Sequence, residues 1–88
     1  MHRDVEWLTA ADVRILEFLY AARDTRNNPS IQTPKTIAIN TGHPRKYVGQ
    51  RCRTLVDRDL VEKTGRGQYR LSETGEALMS GRIRPREL

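Results

Sequence analysis

The chain has 88 residues, 36% of them hydrophobic and 31% charged, with a net charge of +5. That length predicts one small domain with little room for a buried ligand cavity, and no apolar run approaches the roughly 20 residues needed to cross a bilayer. The polar start MHRDVEW does not read as a secretion signal, and a single cysteine cannot close an internal disulfide, which points to a reducing, cytoplasmic setting.

Thr9 is a good N-cap residue, and Asp12 three positions later completes a capping-box pattern. Leu8 and Val13 fall at the two positions of a hydrophobic staple around it. From Ala10 to about Ala22, the residues Val13, Ile15, Leu16, Phe18, Leu19 and Tyr20 give a wide apolar face, predicting a core helix. The stretch DTRNNPSIQ, residues 24–32, is loop-like, with Ile31 as the anchor of a very short strand.

Thr33-Pro34 starts a second helix, with Pro at the first helical position, where its missing N–H is no loss. Ile37 and Ala38 are its inward residues, and Gly42 ends it after about two turns by supplying a left-handed conformation. Pro44 opens a third helix in the same way as Pro34. At about 100° per residue, Val48, Cys52, Leu55 and Val56 share one face, and Lys46, Gln50, Arg53 and Asp57 form the opposite one. Leu60–Thr64 and Gln68–Leu71 read as a hairpin across the three-residue turn Gly65-Arg66-Gly67. Ser72 caps a last helix carrying Ala77, Leu78 and Met79, which ends near Gly81. The tail RIRPREL reads as disordered. The whole predicts a mainly helical protein with a small β-hairpin: one domain over residues 8–80, with residues 1–7 and 81–88 as flexible or partly ordered tails.

Charge is not spread evenly along this order. Residues 1–32 carry net −1 and residues 71–88 net 0, whereas residues 33–70 hold nine basic side chains against three acidic, net +6. Thirteen of the sixteen basic residues are Arg, the side chain suited to bidentate contact with phosphate or guanine. A basic central block is the footprint expected for a polyanion partner, and equally of a solvated basic face.

Helix, short strand, helix, turn, helix, hairpin, helix is the order of a winged helix-turn-helix. In TIAINTGHPRKYVGQRCRTLV, residues 36–56, small Ala38 stands where the two helices would cross, Gly42 in the turn and Val48 inside the second helix. The following RTLVDRDLVEKTGRGQYRLSETGEAL, residues 53–78, is similar to the recognition-helix end, wing and next helix of archaeal winged helix-turn-helix transcriptional regulators. From Leu8 to Met79 the chain resembles the small repressor-like proteins of halophilic archaea and their viruses. The resemblance implies duplex DNA as partner and a wing-tip residue that enters or straddles the minor groove.

The residues sort accordingly. A helix fits the major groove and its leading residues reach base edges, so Lys46 and Gln50 are expected to read bases. Arg45 and Tyr47 flank them, reading bases or holding phosphate, and Arg53, one turn on, is better placed for the backbone. Arg66 sits at the wing tip, where a narrow minor groove attracts Arg, with Lys63 and Arg70 as weaker phosphate candidates. Thr33, Lys35 and Thr36 stand at the N-terminus of the second helix, whose free N–H groups favour phosphate; helix capping already accounts for Thr33. His43 is a turn residue that could touch phosphate. Arg51 lies nearer the core edge, where pairing with an acid competes evenly with phosphate binding. Trp7 either packs the terminal elements together or lies in a dimer contact, and Arg82, Arg84 and Arg86 either trail along DNA or form an untethered tail.

Cys52 on the inward stripe reads as core, not as a redox sensor. His2, His43 and Cys52 lack metal-ligand spacing, and neither a catalytic constellation nor a phosphate-cradling loop is present. No enzyme activity, cofactor, metal, membrane or small-molecule effector is expected. The sequence points to a transcriptional regulator acting as a repressor, a homodimer on a two-fold DNA site, cytoplasmic and nucleoid-associated when bound. A protein-interaction winged helix and a sequence-neutral nucleic-acid binder are the alternatives.

Overall fold

In the computed structural model, which describes residues 6–88, four helices surround one two-stranded antiparallel sheet. Helix α1 (Ala10–Ala21) begins where the sequence places it. The Asp12 N–H donates to Thr9 Oγ1 and the Thr9 N–H donates to Asp12 Oδ2, each at 3.0 Å, which completes the capping box. Helix α2 (Pro34–Thr41) is capped by Thr33 and closed by Gly42 at φ +77°, a left-handed conformation that a side chain would strain. Helix α3 is Arg45–Asp57, strands β1 and β2 are Val61–Gly65 and Gln68–Leu71, and helix α4 is Glu73–Met79, capped by Ser72. The fold is mainly helical with a small β-hairpin, as expected.

Four local expectations shift. Pro44 is the N-cap of α3 at ψ 140°, one residue earlier than the first-turn position that Pro34 holds in α2. The hairpin turns through Arg66-Gly67 alone: Lys63 faces Tyr69 and Gly65 faces Gln68, so Thr64 is an extra, bulged residue. The short extra strand reduces to a single bridge centred on Gln32, one residue beyond Ile31. Gln32 and Tyr69 exchange both backbone hydrogen bonds, at 2.7 and 2.9 Å, and Ile31 is half exposed. The tail is held at its start: the Arg82 and Ile83 N–H groups both donate to the Ala77 carbonyl, Ile83 packs against the core, and Pro85–Glu87 form one 3₁₀ turn. Of the N-terminal tail, residues 1–5 lie outside the described residues. Trp7 packs against the core of its own chain.

The core gathers Ile15, Leu16 and Leu19 of α1, Ile37 of α2, Val48, Cys52 and Leu55 of α3, Leu60, and Tyr69 and Leu71 of β2. Leu60 enters it through the corner after α3. There the Leu60 N–H reaches the Leu55 carbonyl at 2.9 Å and the Asp59 N–H reaches Val56 at 3.0 Å, with Asp59 at φ +62°. That pair of bonds is a Schellman closure, here built on Asp where Gly is usual. Asp59 also accepts from Ser72 Oγ at its carbonyl and from Thr74 Oγ1 at its carboxylate, so the corner fastens α3 to the start of α4.

Two contacts fix depth and angle within this small core. At Gly75, a Cβ would stand 2.2 Å from the Leu60 carbonyl oxygen and 2.7 Å from Leu71 Cδ1, so α4 approaches the corner closer than any side chain permits. Across the molecule, Arg51 of α3 turns inward. Its Nε and Nη2 donate to the two carboxylate oxygens of fully buried Asp12 at 2.7 and 2.6 Å, and Nη2 also reaches the Trp7 carbonyl at 3.1 Å. The Asp12 hydrogen bonds raise the Arg51 pKa above its ordinary value, so the guanidinium stays charged. Of the two readings open for Arg51, the ion pair is the one the fold adopts. Arg58 stacks over the Trp7 ring at 4.7 Å, so two arginines from α3 and its C-cap clasp one N-terminal residue. Cys52 is wholly buried, and burial, helped by the Asp12 charge, pushes its thiol up to about 12.

Three outcomes follow from these contacts. Gly75→Ala should destabilise by about 1–3 kcal/mol in urea unfolding, overpacking exceeding the gain in helix propensity; an unchanged midpoint would mean that α4 is free to shift. Arg51→Ala, which strands a buried carboxylate, should destabilise by about 3 kcal/mol. The unfolded thiol ionises at its ordinary value of 9.0, while the native one holds its proton to about 12. The contribution of Cys52 to stability is therefore complete below pH 9 and is lost as pH rises toward 12, by up to about 1.4 kcal/mol per pH unit. Comparing the alkaline slopes of wild type and Cys52→Ala measures it, and the native thiol should resist a disulfide reagent at pH 8.

Candidate nucleic-acid interface

Helix α3 has two chemically distinct sides. Only Val48, Cys52 and Leu55 are buried, a stripe at i, i+4 and i+7, and Arg51 lies beside it, bound to Asp12. On the other side Lys46, Gln50, Arg53 and Asp57 are exposed, as is Arg45 at the first residue of the helix, and among the described residues none of the cations Arg45, Lys46 and Arg53 takes part in an ion pair. Gly49 leaves a gap between them: a Cβ there would lie 3.7 Å from Arg53 Nη1, so the guanidinium rests back along the helix surface. Tyr47 is half-buried, its ring 6.0 Å from that of His43 in the turn and tilted by 59°. The N-terminus of α3 carries no side-chain cap and no acid in its first turn, which leaves its field positive where the helix begins.

Helix α2 packs against α3 through the three-residue turn Gly42-His43-Pro44. At its N-terminus, Thr33 Oγ1 accepts from the Thr36 N–H at 3.3 Å, and the two hydroxyls bond to each other at 3.2 Å. Both threonines are thus engaged in capping, while Lys35 stands exposed beside them.

Along the hairpin, successive cross-strand pairs alternate faces. Val61 and Leu71 are buried; Glu62 and Arg70 point to the opposite side and pair at 3.6 Å, both about half exposed. Lys63 shares the face of Tyr69, beyond the edge of the core, and Arg66 is exposed at the tip. Arg70 departs from its expected company. It lines an open groove of about 860 Å³ between the 24–31 loop, the outer hairpin face and α4, together with Asp24, Glu62, Glu73 and Glu76. One of these carboxylates is already engaged in a second bidentate pair, Arg23 to Glu76 at 2.7 and 2.8 Å, with the Arg23 guanidinium 5.0 Å over Tyr20. Carboxylates therefore gather on this flank beside Arg70 and Arg82, while Arg45, Lys46 and Arg53 of α3 stay without an acidic partner among the described residues.

Sequence reasoning recovered the outward set on α3 from periodicity. It missed the second role of Asp12, whose partner is 39 residues away, and the carboxylates around Arg70, which come from three separate elements. Neither has a local signal. Among the described residues there is no group of three or more His, Cys, Asp or Glu able to hold a metal ion, and no helix long and apolar enough to cross a membrane.

With this geometry in place, the chain can be compared with known proteins. Residues 1–88 match the model of the family described as "Winged helix-turn-helix phage repressor". The chain is 35% identical over 86 residues to the repressor protein of Halobacterium phage phiH, covering 94% of this chain and 91% of that one. Its fold is that of a MarR family transcriptional regulator from Silicibacter pomeroyi, with a TM-score of 0.71 at 18% identity. The match covers 91% of this chain and just over half, 56%, of that larger one. A helix-turn-helix with a wing, an outward cationic helix and this kinship agree: the chain belongs to the winged helix-turn-helix phage repressor family and is a DNA-binding regulator of transcription, not an enzyme.

Proposed function

We propose that the protein is a sequence-specific repressor that occupies an operator in duplex DNA, reading the major groove with residues 44–58 and contacting the minor groove or backbone with the wing, residues 61–71. The observation that carries this reading is the division of α3: Arg51 is committed to Asp12, while Arg45, Lys46 and Arg53 face solvent with no ion pair among the described residues. Cations left unpaired on one helix face lose nothing on meeting phosphate, and release of DNA counterions drives the association.

Lys46 and Gln50 are the base readers, Gln suited to adenine N6/N7 and Lys to guanine O6/N7. Arg45 and Tyr47 flank them, with the Tyr47 ring steadied by His43, and Arg53 holds backbone. Arg66 serves the minor groove, and Lys63 and Lys35 neutralise phosphate to either side. Thr33, Thr36 and His43 contribute at most through α2's first turn and the turn that follows it, since capping already uses the threonine hydroxyls. Arg70 contributes least, because Glu62 and the neighbouring carboxylates oppose a phosphate there. One helix and one wing give a small footprint, so the protein acts as a homodimer on a two-fold site. The kinship to a phage protein named a repressor supports occupancy of a promoter as the mode of action, in the cytoplasm where the DNA lies.

Selection from a random duplex pool at physiological salt tests the reading. An enriched motif is expected, with two-fold symmetry if the dimer is right. Binding without enrichment would overturn sequence reading in favour of neutral coating, and no binding would leave a protein-interaction module. On the selected site, Gln50→Ala should lose about 1–3 kcal/mol and relax one base-pair position. Arg53→Ala should weaken all duplexes alike and lower the salt slope by about one. Identical behaviour of the two variants on selected and random DNA would refute the division of roles.

A further inference from the structure

The three-residue stripe that holds α3 to the body is made of Val, Cys and Leu, side chains whose packing is attractive at many angles. Its N-terminus has no side-chain cap to fix it. The directional contact on this side of the helix comes from Arg51, the seventh of its thirteen residues, whose planar guanidinium meets both oxygens of Asp12. Asp12 in turn cannot move, because its Oδ2 also accepts from the Thr9 N–H at the start of α1. Asp12 is fully buried and its hydrogen bonds are all within 3.0 Å.

We propose that the Arg51–Asp12 pair sets the rotation of α3 about its own axis, making Arg51 a positioning residue for sequence readout. The inference rests on the reading of α3 as the base-contacting helix. Leverage makes the rotation matter. Side-chain ends lie about 6 Å from a helix axis, so a turn of about 20° displaces them by on the order of 2 Å. The window for a base-edge hydrogen bond is only about 0.5 Å wide. Lys46 and Gln50 lie within five positions of Arg51, on the same short helix, and any rotation at Arg51 reaches them undiminished. Phosphate contacts from long arginines tolerate such a shift; bidentate base contacts do not. The pair therefore governs discrimination between sequences far more than total affinity.

The decisive variant is Asp12→Leu with Arg51→Met, which removes the directional pair, leaves no stranded charge and keeps the net charge of the chain at +5. Arg51→Lys, which keeps charge but loses the two-pronged geometry, is the conservative companion, used alone if the double variant does not fold. Backbone residual dipolar couplings give the orientation of α3 relative to α1, and competition binding gives the ratio of affinities for the selected and a scrambled duplex. In the folded variant the couplings of α3 should depart from wild type, and the affinity ratio should fall tenfold or more. Affinity for scrambled DNA and its salt slope should stay within twofold. A merely stabilising pair would lower the melting temperature and leave the ratio alone. Couplings that superimpose on wild type, or an unchanged ratio, overturn the proposal. Should wild type itself prefer no duplex, the sequence-reading function fails, and the couplings alone decide whether the pair orients the helix.

Discussion

The carboxylate of Asp12 accepts three hydrogen bonds: one from the Thr9 N–H, which caps α1, and two from Arg51, whose guanidinium also holds the Trp7 carbonyl. A charge this deep is tolerated only when its lone pairs are occupied, and here the donors come from two distant parts of the chain, the Thr9 backbone and the Arg51 side chain. Among the described residues no buried side-chain nitrogen or oxygen lacks a partner. The result is a polar joint inside a core that is otherwise a modest set of aliphatic side chains. Around it, α1 acquires a defined start, α3 a defined side, and the N-terminal segment a place to lie.

Electrostatics across the rest of the molecule is a matter of which cations are spoken for. Arg23, Arg51 and Arg70 are bound to carboxylates; Arg45, Lys46, Arg53 and Arg66 are not, among the described residues. The first group sits on the α1 and α4 side or inside, the second on the outward helix and at the wing tip. A net charge of +5 alone would describe a generally basic protein. Pairing distributes it unevenly: the groove between hairpin and α4 is lined by Asp24, Glu62, Glu73 and Glu76 together with Arg70 and Arg82, whereas Arg45, Lys46 and Arg53 of α3 have no acidic partner among the described residues. Such polarity biases how the body approaches a polyanion before any contact forms.

Much of the fold was legible because its punctuation is local. Thr9 with Asp12, Thr33 with Pro34, Gly42 and Ser72 each act on backbone groups within a turn of themselves, and the structure uses each of them as read. The alternation of Tyr69 and Leu71 and the stripe Val48, Cys52, Leu55 follow from strand and helix periods. What escaped was set by distance or by competing local options. Pro44 can stand at a cap or in the first turn, and the Thr64 bulge shortens a turn that two glycines seemed to define. Asp59 takes the left-handed corner although Gly or Asn is the usual sign of one. The tail's hold on Ala77 and the pairing of Arg51 depend on elements that meet only after folding. For the interface the outward residues of α3 were legible from the helical period, whereas the neutralising company of Arg70 was not.

The outward face of α3 has a consequence for how such a protein can change over time. Arg45, Lys46, Gln50 and Arg53 contribute neither to the core nor to an ion pair among the described residues, so their identity is free of the demands of folding. Arg51, one position from Gln50, is bound by those demands entirely. A lineage carrying this scaffold can therefore exchange its surface letters one at a time while the body beneath stays as it is. Evolvability in this fold comes down to the difference between two neighbouring residues on one helix, one facing solvent and one facing Asp12.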